Sequence, residues 1–216
     1  MHEVIKKYYA ERAEHDEWAS IADDLREERE ELGERLAEVL TGHRVLELAC
    51  GLGDWTQLYA DEAEQVLVSD VHPEILEIAK TRLSDFEHVQ FAQIDAMALP
   101  AQLDIEPSAV FAGFYSSHFK REEFHKIIDT WRARLGKGTV LVLIDHNYVD
   151  AHSITVARTD SENNLFHLVD SPSGERYEMM TNYPSDSYLR KKLSNSCREI
   201  RTKRTEHYWM LTAVFK

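Results

Sequence analysis

V-L-E-L-A-C-G-L-G-D-W-T, residues Val45 to Thr56, is the stretch whose reading decides the fold. Val45-Leu46-Glu47-Leu48 is a short apolar run of the kind that forms a buried strand. Ala49-Cys50-Gly51-Leu52-Gly53 follows as a small, flexible turn, where glycine permits unusual φ/ψ and lets a ligand approach the backbone. The pattern starting near Asp54 predicts a helix whose free N-terminal N–H groups face that ligand. Glu47, an acid on the strand, is placed to pair with a cationic or hydroxyl-bearing group. Strand, glycine turn and helix together read as a nucleotide-type cofactor site.

On either side of this stretch the chain is built of short elements. Residues 3 to 13 predict a helix, and residues 20 to 40 a longer charged one with Ile21, Leu25, Leu32, Leu36, Val39 and Leu40 along one stripe, stopped at Gly42. Downstream, Gln65–Ser69 reads as a strand ending at Asp70, and Pro73 opens a helix with Ile75, Leu76, Ile78, Ala79 and Leu83 on one side. His88–Ala92 is a strand ending near Asp95, and Ser108–Phe114 another. A helix over 121–135 and a Gly136-Lys137-Gly138 turn lead into Thr139–Ile144, the most apolar strand. Alternating strands and helices predict an α/β fold, a parallel sheet with helices on both faces, binding ligands at the strand carboxyl ends. Glu47, Asp70, Asp95, Phe114 and Asp145 all fall at such ends.

Beyond Asp150 the pattern changes. Leu165–Val169 and Tyr177–Met180 flank a Ser171-Pro172-Ser173-Gly174 turn, which suggests a hairpin or an extended insertion. Ser185 is a candidate N-cap for a helix through Leu193, and Arg198–Arg204 and His207–Phe215 read as two closing strands.

The chain has 216 residues, 43% hydrophobic and 30% charged, an ordinary globular mixture with a formal net charge of −14. That balance argues against nucleic acid or an anionic membrane as partner. The basic run at Arg198, Arg201, Lys203 and Arg204 reads as a solvated strand face. There is no apolar stretch of membrane-spanning length and no signal-peptide core, so a cytoplasmic protein is expected. Cys50 and Cys197 read as reduced thiols. Eleven histidines show no zinc-motif spacing, and most are expected at the surface.

The glycine turn narrows the cofactor. A dinucleotide fold needs G-x-G-x-x-G, but Gly51-x-Gly53 is followed by Asp54, Trp55 and Thr56. Asp54 would repel a pyrophosphate, and no G-K-[ST] follows to make a P-loop. A cofactor without phosphate is favoured.

E-L-A-C-G-L-G at Glu47 to Gly53, the acid Asp70 ending the second strand, and I-D-A at Ile94 to Ala96 resemble, in order and spacing, the class I S-adenosylmethionine-dependent methyltransferases. The resemblance covers residues ~43 to ~146. It implies a Rossmann-like, seven-stranded, mostly parallel sheet with a C-terminal antiparallel hairpin, and S-adenosylmethionine as cofactor. Ala49 departs from the family, many members having glycine there. By the resemblance, Glu47 and the backbone of Ala49, Gly51 and Gly53 hold the methionine end, and Asp70 takes both ribose hydroxyls. Asp95 takes the adenine amino group, the Ala96 N–H a ring nitrogen, and Val71 and Met97 wall the base. The plainer alternatives are a helix N-cap ahead of Pro73 for Asp70 and a loop carboxylate for Asp95.

On the acceptor side, Gly113-Phe114-Tyr115-Ser116-Ser117-His118 resembles a G-F-x-x-S-H segment of one group of small bacterial methyltransferases. Phe114 is expected beside the cofactor, and His118 as a base or substrate-orienting group, with a backbone-satisfied histidine as the alternative. Asp145-His146-Asn147 is a second cluster, with Asp145 and His146 as catalytic candidates. No metal is expected, because Asp145 and Asn147 are split by His146 and strand four ends without an acid. Tyr8-Tyr9-x-x-Arg12 resembles the Y-Y-x-x-R segment that covers the cofactor in many members. It implies a lid of Tyr8, Tyr9 and Trp18 over the sulfonium, with Arg12 reaching the methionine carboxylate. Tyrosines packed on the core from an amphipathic helix would fit the same residues.

One domain is expected over 1–216: a helical lid (1–42), a cofactor-binding core (43–148) and a substrate-side insertion with the last two strands (149–216). The expected activity is methyl transfer to an O or N atom of a small-molecule acceptor, with a homodimer as the candidate assembly. Protein methylation, or a non-catalytic regulator that binds the cofactor, would use the same motifs.

Overall fold

The computed structural model describes residues 3–13, 25–150 and 152–216. The chain enters through α1 (Glu3–Ala13) and α2 (Arg26–Leu40), then runs β1 (Arg44–Leu48), β2 (Gln65–Asp70), α3 (Pro73–Arg82) and β3 (Val89–Gln93). β4 (Ala109–Gly113), α4 (Phe124–Leu135) and β5 (Val140–His146) complete the core. A smaller layer follows, β6 (Val156–Thr159), β7 (Leu165–Asp170) and β8 (Arg176–Met180). The last elements are α5 (Asp186–Leu193), β9 (Cys197–Arg204) and β10 (Tyr208–Phe215).

Seven strands form one sheet in the order β3-β2-β1-β4-β5-β10-β9, parallel through β5 and closed by the antiparallel β10–β9 hairpin. Successive side chains of a strand face opposite ways, and the core divides accordingly. Val45, Val66, Val68, Phe111 and Ile144 face Leu32, Leu36 and Leu40 of α2 and Leu76 and Ala79 of α3. Leu46, Leu48, Val110, Leu141 and Leu143 face Trp131 of α4 and Leu189 and Leu193 of α5. Both faces are covered, as parallel strands require. Ser185 caps α5 by accepting the Tyr188 N–H.

The expected helix after the glycine turn is absent. Two 3₁₀ turns, Thr56–Leu58 and Ala60–Glu62, take its place. In a 3₁₀ turn residues i and i+3 eclipse, so Thr56 and Tyr59 project together. Their hydroxyls donate to the same Glu47 Oε2, at 2.8 and 2.6 Å. α2 presses on this segment so closely that a Cβ on Gly33 would lie 2.9 Å from Leu58 Cδ1, which accounts for a glycine inside that helix.

A separate antiparallel sheet, β6-β7-β8, makes up the insertion, with β6 added to the expected hairpin. It carries α1: Ile5 and Tyr8 are buried against Val169, Tyr177 and Met179. Full burial of such side chains contributes on the order of 2 kcal/mol each. Lys7 pairs with Glu175 at 2.9 Å, and Ser173 and Tyr177 donate to Glu11. β9 is the exposed basic edge strand, with Arg204 paired to Asp186 and Lys203 to Glu31. Among the described residues no helix is long and apolar enough to cross a membrane.

Candidate active site

β1 and β4 are neighbours in space but not in sequence, so the sheet has its switch point between their carboxyl ends. A cavity of about 360 Å³ opens there. Ala49, Cys50, Gly51 and Leu52 form one side, Asp70, His72 and Ile75 another, and Gly113, Phe114 and Tyr115 a third. The turn holds its shape by left-handed backbone at Ala49 (φ 55°), Gly51 (57°) and Gly53 (80°). Ala49 adopts there what costs an L-residue about 1–2 kcal/mol, so its departure from glycine is a strained one. Gly53 does not line the cavity; a Cβ on it would lie 3.0 Å from Leu83 Cδ1, so its place is set by packing against α3's end.

Asp70 accepts the Gly51 N–H at 3.2 Å and the His72 N–H at 3.0 Å. Burial raises its pKa from the ordinary aspartate value, against the pull of His72 and these N–H groups. Glu47 does not reach the cavity. It lies on the α2 face of the sheet, 2% exposed, its Oε2 taken by Thr56 and Tyr59, and burial pushes its pKa up to about 7. Asp54 does line the cavity, but Arg82 and Arg29 flank its carboxylate. Its repulsion of a phosphate is therefore weaker than the bare sequence implies, and the missing third glycine is the stronger of those two arguments.

The adenine-side residues are placed differently from Asp70. Asp95 accepts the Met97 N–H at 2.9 Å and the Lys6 ammonium of α1 at 3.0 Å. Burial pushes its pKa up, but these partners outweigh it and leave the carboxyl below the usual range. Ala96 is buried, with its carbonyl taken by Trp131 Nε1. Met97 lines a smaller pocket with Tyr115 and Phe119, and Val71 spends its carbonyl on Gln93. None of Val71, Asp95, Ala96 and Met97 lines the large cavity in this arrangement.

A second cavity, about 310 Å³, adjoins the first under α1 and the small sheet. Tyr9, Phe114, His118, His146 and Tyr208 line both. His118 Nδ1 lies 2.7 Å from the Met180 carbonyl, which only accepts, so Nδ1 carries the proton. Nε2 is then the acceptor, and the Tyr9 hydroxyl 3.0 Å away donates to it. His146 stacks on Phe114 at 4.3 Å, and among the described residues no hydrogen bond reaches its ring nitrogens. The residue is exposed, and it lines both cavities. Desolvation lowers the pKa of His118 and His146 alike, against the opposing field of Asp145.

Asp145 is not at the site. It is fully buried, and its carboxylate accepts Ser116 Oγ, the Ser117 N–H and the His146 N–H. It holds the backbone on which His118 and His146 stand. Asn147 Nδ2 is likewise committed to the carbonyls of Thr205, Glu206 and Tyr208. Tyr8 lines the second cavity and not the first. The Arg12 side chain and Trp18 lie outside the described residues.

Sequence reasoning missed Arg29, Tyr115 and the placement of His152, His167 and His207 in the second cavity. His118, His146, His152, His167 and His207 all line it, where surface positions were expected for most histidines. The sheet's topology gathers them from four separate segments. The sole group among the described residues able to bring metal-ligating atoms within 4.8 Å is Glu28, Glu206 and His207, and both Glu28 oxygens already accept from His207.

Buried polar atoms without a partner test whether a polar cofactor fits. Arg29 Nε, His72 Nε2 and the Tyr115 hydroxyl are such atoms, and all three residues line the first cavity. Native interiors rarely leave such groups unpaired, so a polar ligand suits them.

Known proteins bear on the same region. A family described as a methyltransferase domain matches residues 45–138. The ubiquinone/menaquinone biosynthesis C-methyltransferase UbiE of Methylococcus capsulatus (strain Bath) is 41% identical over 71 residues, 30% of this chain and 29% of that protein. The UbiE of Pseudomonas syringae pv. syringae is 37% identical over 71 residues, 30% and 28% of the two chains. The chain thus matches under a third of the length of these curated relatives. A DhpI complex with SAH superposes with a TM-score of 0.77 at 21% identity, over 98% of this chain and 95% of that one. The N-methyltransferase NodS of Bradyrhizobium japonicum WM9, also with SAH, gives 0.64 at 16%, over 99% of each. At these identities the solved structures speak for the fold alone. The sheet order and the superposed structures show the fold of the methyltransferases, and residues 45–138 match a methyltransferase-domain family.

Proposed function

We propose that this protein transfers a methyl group from S-adenosylmethionine to an O or N atom of a small molecule held in the second cavity. The observation that carries this reading is the wall shared by the two cavities, with His118 and His146 in it. When bound, the cofactor supplies an electrophilic methyl group on a sulfonium, open to in-line displacement by a nucleophile. The chain's own residues bind, orient and handle protons.

Asp70 accepts the ribose hydroxyls, with the Gly51 N–H fixing its carboxylate. The Ala49–Gly51 backbone would hold the methionine end, and Arg29, which lines the same cavity, would pair with its carboxylate. Tyr115, whose hydroxyl feels the fields of both Asp95 and Asp70, serves the nucleoside. Asp95 turns to the adenine amino group once Lys6 yields. α1 and the small sheet line one side of the acceptor cavity.

At the shared wall, neutral His146 takes the proton from the acceptor's hydroxyl or ammonium group. Its lowered pKa keeps the base form available near neutral pH. His118 acts through the Tyr9 hydroxyl that covers its Nε2. A cavity of about 310 Å³ favours a small molecule over a protein side chain. The C-methyltransferase relatives match over only 71 residues, 30% of this chain, so the acceptor atom does not carry over from them.

Calorimetry with S-adenosylhomocysteine tests the cofactor site: micromolar-range binding is expected, abolished by Asp70→Ala. Transfer of labelled methyl into a metabolite extract tests turnover. Cofactor binding without any labelled product would favour a non-catalytic regulator.

A further inference from the structure

His207 stands in the turn between β9 and β10 and lines the acceptor cavity but not the cofactor cavity. A single residue of α2 holds it twice. Glu28 Oε1 lies 2.8 Å from His207 Nδ1, and Glu28 Oε2 accepts the His207 backbone N–H at 2.9 Å. A carboxylate here only accepts, so Nδ1 carries the hydrogen, and in the neutral form of the ring Nε2 presents a lone pair. That Nε2 is buried and has no hydrogen-bond partner among the described residues. The pair is well enclosed, the two side chains being 12% and 19% exposed. His152 stands edge-on, its ring centre 4.7 Å away, without supplying the missing bond.

A carboxylate that fixes one ring nitrogen and leaves the other bare and buried is an oriented hydrogen-bond acceptor. It is a costly arrangement unless something donates to it. Burial opposes ionisation of Glu28, but hydrogen bonds from Thr205 and His207 outweigh it and keep the carboxyl below its ordinary value. The Glu28 end of the pair therefore stays charged and the tautomer stays fixed.

We propose that His207 Nε2, positioned by Glu28, accepts a hydrogen bond from a hydroxyl or amine N–H of the methyl acceptor. This rests on the methyltransferase reading and adds to it a substrate class. The acceptor carries a protic group besides the atom that is methylated, because His207 lines the acceptor cavity and is not one of the residues shared with the cofactor cavity. Loss of this contact weakens acceptors that carry the donor and leaves donor-free analogues untouched.

Two probes of nearly equal shape, 4-methylphenol and 4-methylanisole, test it by ligand-observed NMR titration of the protein loaded with S-adenosylhomocysteine. Wild type is expected to bind the phenol about fivefold or more tighter than the ether. His207→Phe should bring the two affinities together, and Glu28→Gln, which frees the tautomer, should narrow the gap. Both variants should keep S-adenosylhomocysteine affinity within about twofold of wild type, which shows that they are folded. Equal affinity of wild type for the two probes, absence of binding by both included, overturns the proposal. So does a preference for the phenol that survives in His207→Phe or, should that variant not fold, one left unchanged in Glu28→Gln. Failure of wild type to bind S-adenosylhomocysteine at all would instead overturn the methyltransferase reading beneath it.

Discussion

Lys6 Nζ of α1 sits 3.0 Å from Asp95 Oδ2 at the end of β3, so α1 is tied to the carboxylate expected to read the adenine amino group. Both side chains are partly exposed, 25% and 30%. The tie is therefore worth at most about 1 kcal/mol. Lys6→Met should release Asp95 and raise S-adenosylhomocysteine affinity by about two- to fivefold in calorimetry. A fall in affinity would mean that Lys6 helps to hold the cofactor.

Arg29 yields a sharper contrast. If its guanidinium takes the methionine carboxylate, Arg29→Gln should weaken S-adenosylhomocysteine by about tenfold or more, the loss of a charge-assisted bond. 5′-Methylthioadenosine, which lacks that carboxylate, should bind wild type and variant alike. Equal losses for both ligands would point to packing over Trp55, which Arg29 covers at 5.6 Å, as its main role.

The histidines set the acid limb of activity. Desolvation lowers the pKa of His118 and His146, so each is neutral and able to accept a proton at lower pH than a free histidine. Once an acceptor is known, kcat/KM should rise with pH through a midpoint below the usual ~6.5. His146→Asn should lower kcat by roughly 10²-fold or more and remove that limb. A midpoint above the ordinary histidine value would count against either ring as the base.

Glu47 makes a prediction about stability. Its folded pKa is raised from 4.5 to about 7, so the native state holds the proton more tightly than the unfolded chain. The resulting stabilisation is full below 4.5 and is lost as pH rises through about 7. Glu47→Gln keeps an oxygen for Thr56 and Tyr59 without the charge. Between pH 5 and 8, urea melts of wild type should lose roughly 3 kcal/mol relative to the variant. Parallel pH dependence in the two proteins would show that Glu47 titrates normally.

What was legible beforehand follows a physical division. Strands β1 to β5, the Ser185 cap and the position of Asp70 all depend on residues close in sequence, through periodicity, turn chemistry and spacing. The segment after Gly53 misled because its helical pattern is local, whereas its 3₁₀ form is set by Glu47 on another element. Asp145 misled in the opposite sense. The strand was expected to end at Ile144 but runs on to His146, and Ser116 and Ser117 hold the Asp145 carboxylate in the interior.

The sequence by itself determined the parallel sheet and the glycine turn, because alternating apolar runs and a turn at a strand end are written in short-range order. Tertiary structure alone decided which side chains meet at the site. Arg29 and Glu28 come from α2, Tyr115 from the end of β4 and His207 from the last hairpin. Their convergence depends on strand order and helix packing, for which no short stretch of sequence carries a signal.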